Sequence, residues 1–367
     1  MYKEIIQPIL NKCDSETFHD LARESLHLAE LTPITLKLLE FFADKHSRFV
    51  DKRLNVNLGG LELENPLIVG AGWDKKGRAV LGLWHLGFAS VEVGSVLEYG
   101  QPGNTKPRLF MVSSGVAINW LAFNSPGMDI VSKNLDKYQN SNIPIGISLG
   151  LNKDVDHADA PRAYGTVAQR MYDYAGYFAI NVSSPNTPGL RKLQDKEHTV
   201  HIIKSVNEAM DICGGRKPLF VKIAPDLSYQ AIDELLEVAI QNKVTGIIAS
   251  NTTINPDLKG KYGARWKNSP GGLSGDDQDY RRITTEIIAH IYKQAGDKLD
   301  IIGVGGINNA ESALEKIKAG AKALQLVTAI RGEGPAVAGK INRGIADYLD
   351  REGITSIKEI VGIDSKS

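Results

Sequence analysis

Eight short apolar runs recur along the chain at wide intervals. They are PLIVGAG (66–72), FASVEVGSV (88–96), IPIGISLG (143–150), YFAINVSS (177–184), PLFVKIAPD (218–226), GIIASNTT (246–253), LDIIGVGGI (299–307) and ALQLVTAI (323–330). Most are apolar at both odd and even positions. A strand apolar on both faces must be covered on both, and a parallel sheet flanked by helices provides that cover. Helical patterns fill several of the intervals. Asp226-Leu227-Ser228 is a capping signal before YQAIDELLEVAIQNK, and Asn308/Asn309 precede AESALEKIKAGA, which Gly320 closes. Eight such units predict a (β/α)8 TIM barrel, an α/β fold. A doubly wound open sheet competes, but it needs a glycine fingerprint in its first turn, and GAGWDKKG does not fit GxGxxG.

Two connections break the rhythm. Residues 97–142 and 254–282 are too long for plain barrel loops and are expected to build a lid or subdomain. The Gly-, Lys-, Asn- and Pro-rich segment 254–275 reads as a mobile lid. Residues 1–50 read as a helical extension ahead of a barrel at 51–367. Asp14 or Ser15 caps a helix with Phe18, Leu21, Ala22, Leu28 and Ala29 on an apolar face. Thr32-Pro33 opens a second helix, carrying Ile34, Leu36, Leu38, Leu39, Phe41 and Phe42. The extension either packs on the barrel or meets a membrane surface and admits an apolar ligand.

Lys plus Arg (43) equals Asp plus Glu (43), which argues against nucleic acid as a partner. Cys13 and Cys213 lie far apart, so no disulfide framework, zinc site or iron–sulfur cluster is expected. No spaced His/Asp or HExxH pattern suggests any other metal. No apolar run of about 18 residues is present to span a bilayer, and the first residues lack a signal-peptide core.

Barrel active sites form at the C-terminal ends of the strands. Collected from those ends, the polar residues are Asp74, Lys75, Ser95, Ser148, Asn152, Asn181, Ser184, Asn186, Ser250, Asn251, Thr252 and Thr328, with Lys222 inside the fifth run. The glycine pair Gly305/Gly306 and Thr328 fall where barrels hold phosphate. Asp74 and Asp226 are the acids found there, so a glycosidase carboxylate pair is not expected. Converging amides suit a flat ligand with alternating carbonyl and N–H edges, such as a pyrimidine or a flavin. Lys75 and Lys222 add charge for a carboxylate, a phosphate or a reduced flavin. Strand parity leaves Ser183 and Ser184 equal as the reactive hydroxyl.

NVSSPNTPGLR, VKIAPDLS, SNTT, GGLSG, IIGVGGI and QPGNTKPRLF, in this order and spacing, resemble the quinone-using, membrane-associated class 2 of the dihydroorotate dehydrogenase family. The resemblance covers nearly the whole chain. It implies FMN-dependent oxidation of dihydroorotate to orotate in pyrimidine synthesis, with a quinone as acceptor. It also implies a peripheral place on the cytoplasmic side of a membrane, reached through residues 1–50. By match to the motifs, Ser184 is the base. Lys75, Asn119, Trp120, Leu121, Ala122, Phe123, Asn181, Asn186, Asn251 and Thr252 bind substrate. Ala71, Gly72, Lys75, Ser95, Ser148, Asn181, Lys222, Ser250, Gly275, Gly306, Val327 and Thr328 bind FMN. The chain departs from the pattern where Trp120 stands for Arg, Ala122 for Gly, Ser148 for Asn, Met111 for Arg and Val327 for Tyr. The last two bear on the electron acceptor, and Trp120 and Ala122 on the substrate.

Three other readings compete: a related FMN oxidoreductase with altered substrate or acceptor, a phosphate-binding barrel lyase using Lys222 as a Schiff base, and a non-catalytic flavin-binding relative.

Overall fold

Each of the eight apolar runs forms a parallel strand, and the eight close on themselves. The computed structural model describes residues 4, 7, 14–43, 48–187 and 189–366; Pro188 and the side chain of Phe42 lie outside what is described. Two helices come first, α1 (Ser15–Ala29) and α2 (Pro33–Ala43). A short hairpin of β1 (Val56–Leu58) and β2 (Leu61–Leu63) leads into the barrel.

The barrel begins with β3 (Leu67–Val69) and β4 (Ser90–Val96). An excursion carrying β5 (Leu109–Ser113) and β6 (Val116–Asn119) intervenes. The barrel resumes with β7 (Ile145–Leu149), β8 (Tyr177–Asn181), β9 (Leu219–Ile223) and β10 (Gly246–Ala249). After a second excursion, which carries β11 (Gly272–Gly275), β12 (Asp300–Val304) and β13 (Ala323–Leu326) complete it. Sequential strands are neighbours, and β13 pairs with β3, Leu324 opposite Leu67, to close the ring. Barrel closure leaves no edge and buries both faces of every strand, which explains the unbroken apolar runs. Ile68, Val91, Val93, Ile147, Phe178, Val221, Ile247 and Ile301 are fully buried. The two helix expectations hold: Ser228 caps Tyr229–Gln241, and Asn309 caps Ala310–Ala319 with Gly320 beyond its end.

The two long connections join each other. β11 pairs antiparallel with β6, Gly272 opposite Asn119, and β6 pairs with β5. Segment 254–275, read as a lid, holds two short helices, Pro256–Gly260 and Ala264–Lys267, and this third strand. Val116, Ile118, Leu258, Trp266, Leu273 and Tyr280 form a small apolar core of their own.

Asp14 caps α1 by accepting from Thr17 N at 2.8 Å. The face of α1 read as its packing side is not the one that is buried. Leu21 and Leu28 are 63% and 59% exposed, while Glu16, Arg23 and Leu26 are buried. Specific polar contacts outweigh the apolar stripe here. Glu16 takes two hydrogen bonds from Arg108, at 2.7 and 3.0 Å, and Arg331 Nη1 donates to the Ser15 carbonyl at 2.9 Å. A paired, hydrogen-bonded charge can be buried; an unpaired one cannot. In α2, Leu36 is buried, while Ile34, Leu38 and Phe41 face solvent. Among the described residues no helix is long and apolar enough to cross a membrane.

Candidate active site

A cavity opens at the C-terminal ends of the barrel strands, roofed by the three-stranded sheet and by α1. Its space, counted to the open mouth, is about 1430 Å3. The barrel supplies Ala71, Gly72 and Lys75 after β3 and Ser95 on β4. Asn181, Ser184 and Asn186 come from β8, Lys222 from β9, and Ser250, Asn251 and Thr252 from β10. Gly306, Val327 and Thr328 close the ring, and the excursions add Asn119, Leu121, Ala122, Phe123 and Gly275.

Of the strand-end candidates, Asp74 and Asn152 lie outside the lining, and so do two residues expected to bind substrate or FMN. Trp120 does not line the cavity; its ring packs on Phe110 with centroids 4.8 Å apart, in the small core of the excursion sheet. Trp120 follows Asn119, the last residue of β6, and strand alternation turns its side chain to the opposite face. Ser148 is fully buried behind Ser95, with their hydroxyl oxygens 2.9 Å apart, so it supports the lining without joining it.

The geometry separates the two serines. Ser183 Oγ donates to Asn181 Oδ1 and accepts from Asn251 Nδ2, both at 3.0 Å, and is fully buried outside the lining. Ser184 faces the cavity, and its Oγ accepts from the Asn186 N–H at 3.3 Å.

Charge is arranged in two layers. At the barrel floor Lys222 Nζ donates to Gln325 Oε1 at 3.1 Å and lies 4.0 Å from Glu92 Oε1. Glu92 Oε2 accepts from Tyr177 Oη at 3.0 Å and from Gln325 Nε2. Burial lowers the Lys222 pKa, and the Glu92 carboxylate works against that shift. Nearer the mouth, burial and the Arg23 charge bring Lys75 down to about 8. His19, from α1, also lines the cavity; burial and the Lys75 charge lower it to about 3, so the ring is neutral, and its Nε2 donates to the Trp73 carbonyl at 2.8 Å.

Asn124 Oδ1, Asn186 Oδ1 and Thr252 Oγ1, on lining residues, are buried polar atoms with no protein partner. Buried polar atoms are normally paired, so these mark where a polar ligand would bind. Among the described residues no group of three or more His, Cys, Asp or Glu could hold a metal ion.

Sequence reasoning missed several lining residues. Asn124 directly follows the run Asn119–Phe123 expected to bind substrate, and lies outside that set. Gln325, and Glu92 behind it, are polar residues inside apolar runs, the same signal that marked Lys222. His19 carried no local signal, since it reaches the cavity only through the docking of α1, and Arg331 lines the cavity from the helix Thr328–Glu333, which follows the last barrel strand.

A family model described as "Dihydroorotate dehydrogenase" matches residues 53–349. This chain belongs to the dihydroorotate dehydrogenase family. It is 38% identical to a protein of Natronomonas pharaonis named dihydroorotate dehydrogenase (quinone), over 98% of this chain and 99% of that one. A protein of the same name from Anaeromyxobacter dehalogenans is 35% identical over 98% of this chain and 96% of its own. Among solved structures, the Eimeria tenella DHODH in complex with ferulenol superimposes with a TM-score of 0.86 at 30% identity, covering 96% of each chain. The dihydroorotate dehydrogenase match thus extends beyond the barrel to the helical extension and both excursions.

Proposed function

We propose that this chain oxidises dihydroorotate to orotate in pyrimidine synthesis, with FMN as cofactor and a quinone as electron acceptor. The observation that carries this reading is the cavity's polar wall. Ser184 shares the lining with Asn186 Oδ1 and Thr252 Oγ1, buried polar atoms without protein partners. The names of the relatives point to the same substrate and acceptor.

The residues fit a flavin. A Cβ on Gly72 would meet nothing within 4 Å, so a flat ring can approach the backbone there. Ala71, Gly72, Ser95, Asn181, Lys222 and Ser250 would hold the ring. Gly275, Gly306, Val327 and Thr328 would hold the phosphate end, where Ser274 and Thr328 hydroxyls lie 3.0 Å apart. When bound, the flavin supplies the two-electron acceptor that no side chain provides.

The chain's own residues do the rest. Asn119, Asn186, Asn251 and Thr252 orient the substrate ring, and Lys75 meets its carboxylate. Ser184 takes the C5 proton; a hydroxyl is a weak base, so the Asn186 N–H that donates to its oxygen is needed to stabilise developing negative charge. Lys222, held by Gln325 and Glu92, stabilises negative charge at the barrel floor. On the α1 side the lining is more apolar, with Leu109, Met111 and Ala329 beside His19 and Arg331, and this is where a quinone would enter. The exposed Leu28, Leu31, Ile34, Leu38 and Phe41 of the extension would rest on the membrane that carries it. Orotate formation from dihydroorotate with a soluble ubiquinone analogue tests this; FMN-loaded protein that forms no orotate sinks it.

A further inference from the structure

We propose that Gln101 is a positioning residue: its amide clamps the Ala122–Phe123 turn in a left-handed backbone conformation and so shapes the substrate side of the cavity. The proposal rests on the reading of that cavity as the dihydroorotate site.

Ala122 has φ +55° and Phe123 φ +49°. Left-handed backbone is unfavourable for residues bearing a Cβ, and two in succession persist only where the surroundings enforce them. Both residues line the cavity, as does Asn124, whose Oδ1 has no protein partner. Gln101 lies outside the lining and reaches this turn from behind. Its Nε2 donates to the Ala122 carbonyl at 3.0 Å and to the Phe123 carbonyl at 3.1 Å. Its Oε1 accepts from Asn152 Nδ2 at 3.2 Å and from the Lys153 N–H at 3.0 Å. Two donors on one end fix the amide's orientation, so the NH2 group must face the two carbonyls. The Gln101 backbone pairs with Ser125, at 2.9 and 3.1 Å, which holds the far end of the turn. Asn152 is anchored in turn by Tyr99, accepting from its N–H at 3.1 Å and donating to its carbonyl at 3.0 Å. The clamp therefore runs from the end of β7 to the loop that presents Ala122, Phe123 and Asn124.

The variant Gln101→Glu is near-isosteric. It keeps an oxygen for Asn152 and Lys153 and replaces the NH2 with an oxygen that cannot donate to the two carbonyls. The expected result is a KM for dihydroorotate, and an orotate Kd read from flavin absorbance, raised about tenfold or more, with kcat at saturation within about threefold of the parent. Gln101→Leu should act in the same direction. Gln101→Leu combined with Ala122→Gly should recover most of the lost affinity, because glycine adopts the left-handed conformation freely. Hydrogen exchange of the 121–125 amides should be faster in Gln101→Glu, a readout that needs no substrate. Unchanged exchange, unchanged KM in both single variants, an equal fall in kcat, or no recovery in the double variant would each overturn the clamp. A parent protein whose flavin ignores dihydroorotate would instead overturn the substrate reading, and the exchange data would still decide the clamp.

Discussion

The Asn251 side-chain amide donates to Ser183 Oγ at 3.0 Å, and that bond holds Ser183 in the wall and leaves Ser184 as the serine open to the cavity. Ser183 also donates to Asn181, so both halves of its hydroxyl are committed.

Ser184→Ala should slow substrate-driven flavin reduction by about 10^2–10^4-fold, the usual range for losing a proton-transfer group. Ser183→Ala should leave the proton transfer in place. It should cost stability, on the order of 1–3 kcal/mol, because Asn251 and Asn181 lose a buried partner. Stopped-flow absorbance and urea unfolding separate the two. Equal rate losses would contradict the assignment.

Lys75 gives a pH dependence with a definite sign. Its pKa in the free protein is about 8, below the usual lysine range, because burial and Arg23 disfavour the cation. The ammonium proposed to meet the substrate carboxylate is present below that pH and is lost above it. The KM for dihydroorotate should therefore rise with pH above about 8, approaching tenfold per unit. Lys75→Arg should remove this rise, since arginine stays charged. Parallel profiles in both proteins would rule Lys75 out as the titrating group.

Glu92 lies inside the barrel with Lys222 4.0 Å away. Removing one partner of a buried pair typically costs about 3–5 kcal/mol, because the other charge is left without compensation. Glu92→Gln should therefore lower the unfolding free energy by an amount of that order, measured by urea titration. A change under about 1 kcal/mol would mean that Lys222 is already neutral in the fold.

The exposed side chains of α2 and its approach give a membrane prediction. Leu31→Glu with Ile34→Glu should weaken co-sedimentation with lipid vesicles and slow turnover with a membrane-borne quinone. Reduction of the flavin by dihydroorotate should not change, because neither residue lines the cavity. Unaltered vesicle binding would remove the extension as the contact.

The barrel was legible because closure demands apolar residues on both faces of a strand, and all eight runs became barrel strands. Most of the site was legible for a related reason: polar residues at strand ends have few other uses. The rest depended on pairings distant in sequence. Nothing local says that Gly272 lies opposite Asn119, or that this register turns Trp120 into the excursion core. The buried face of α1 was misread because the Glu16–Arg108 pair spans 92 positions and outweighs a stripe of leucines. Ser148 was placed on the correct strand but one layer too near the ligand.

The most direct measurement mixes the FMN-loaded protein with dihydroorotate in the absence of oxygen and follows the flavin's visible absorbance. Loss of the oxidised spectrum, with one orotate formed per flavin, is the result expected. A spectrum that stays oxidised at saturating dihydroorotate would contradict the account.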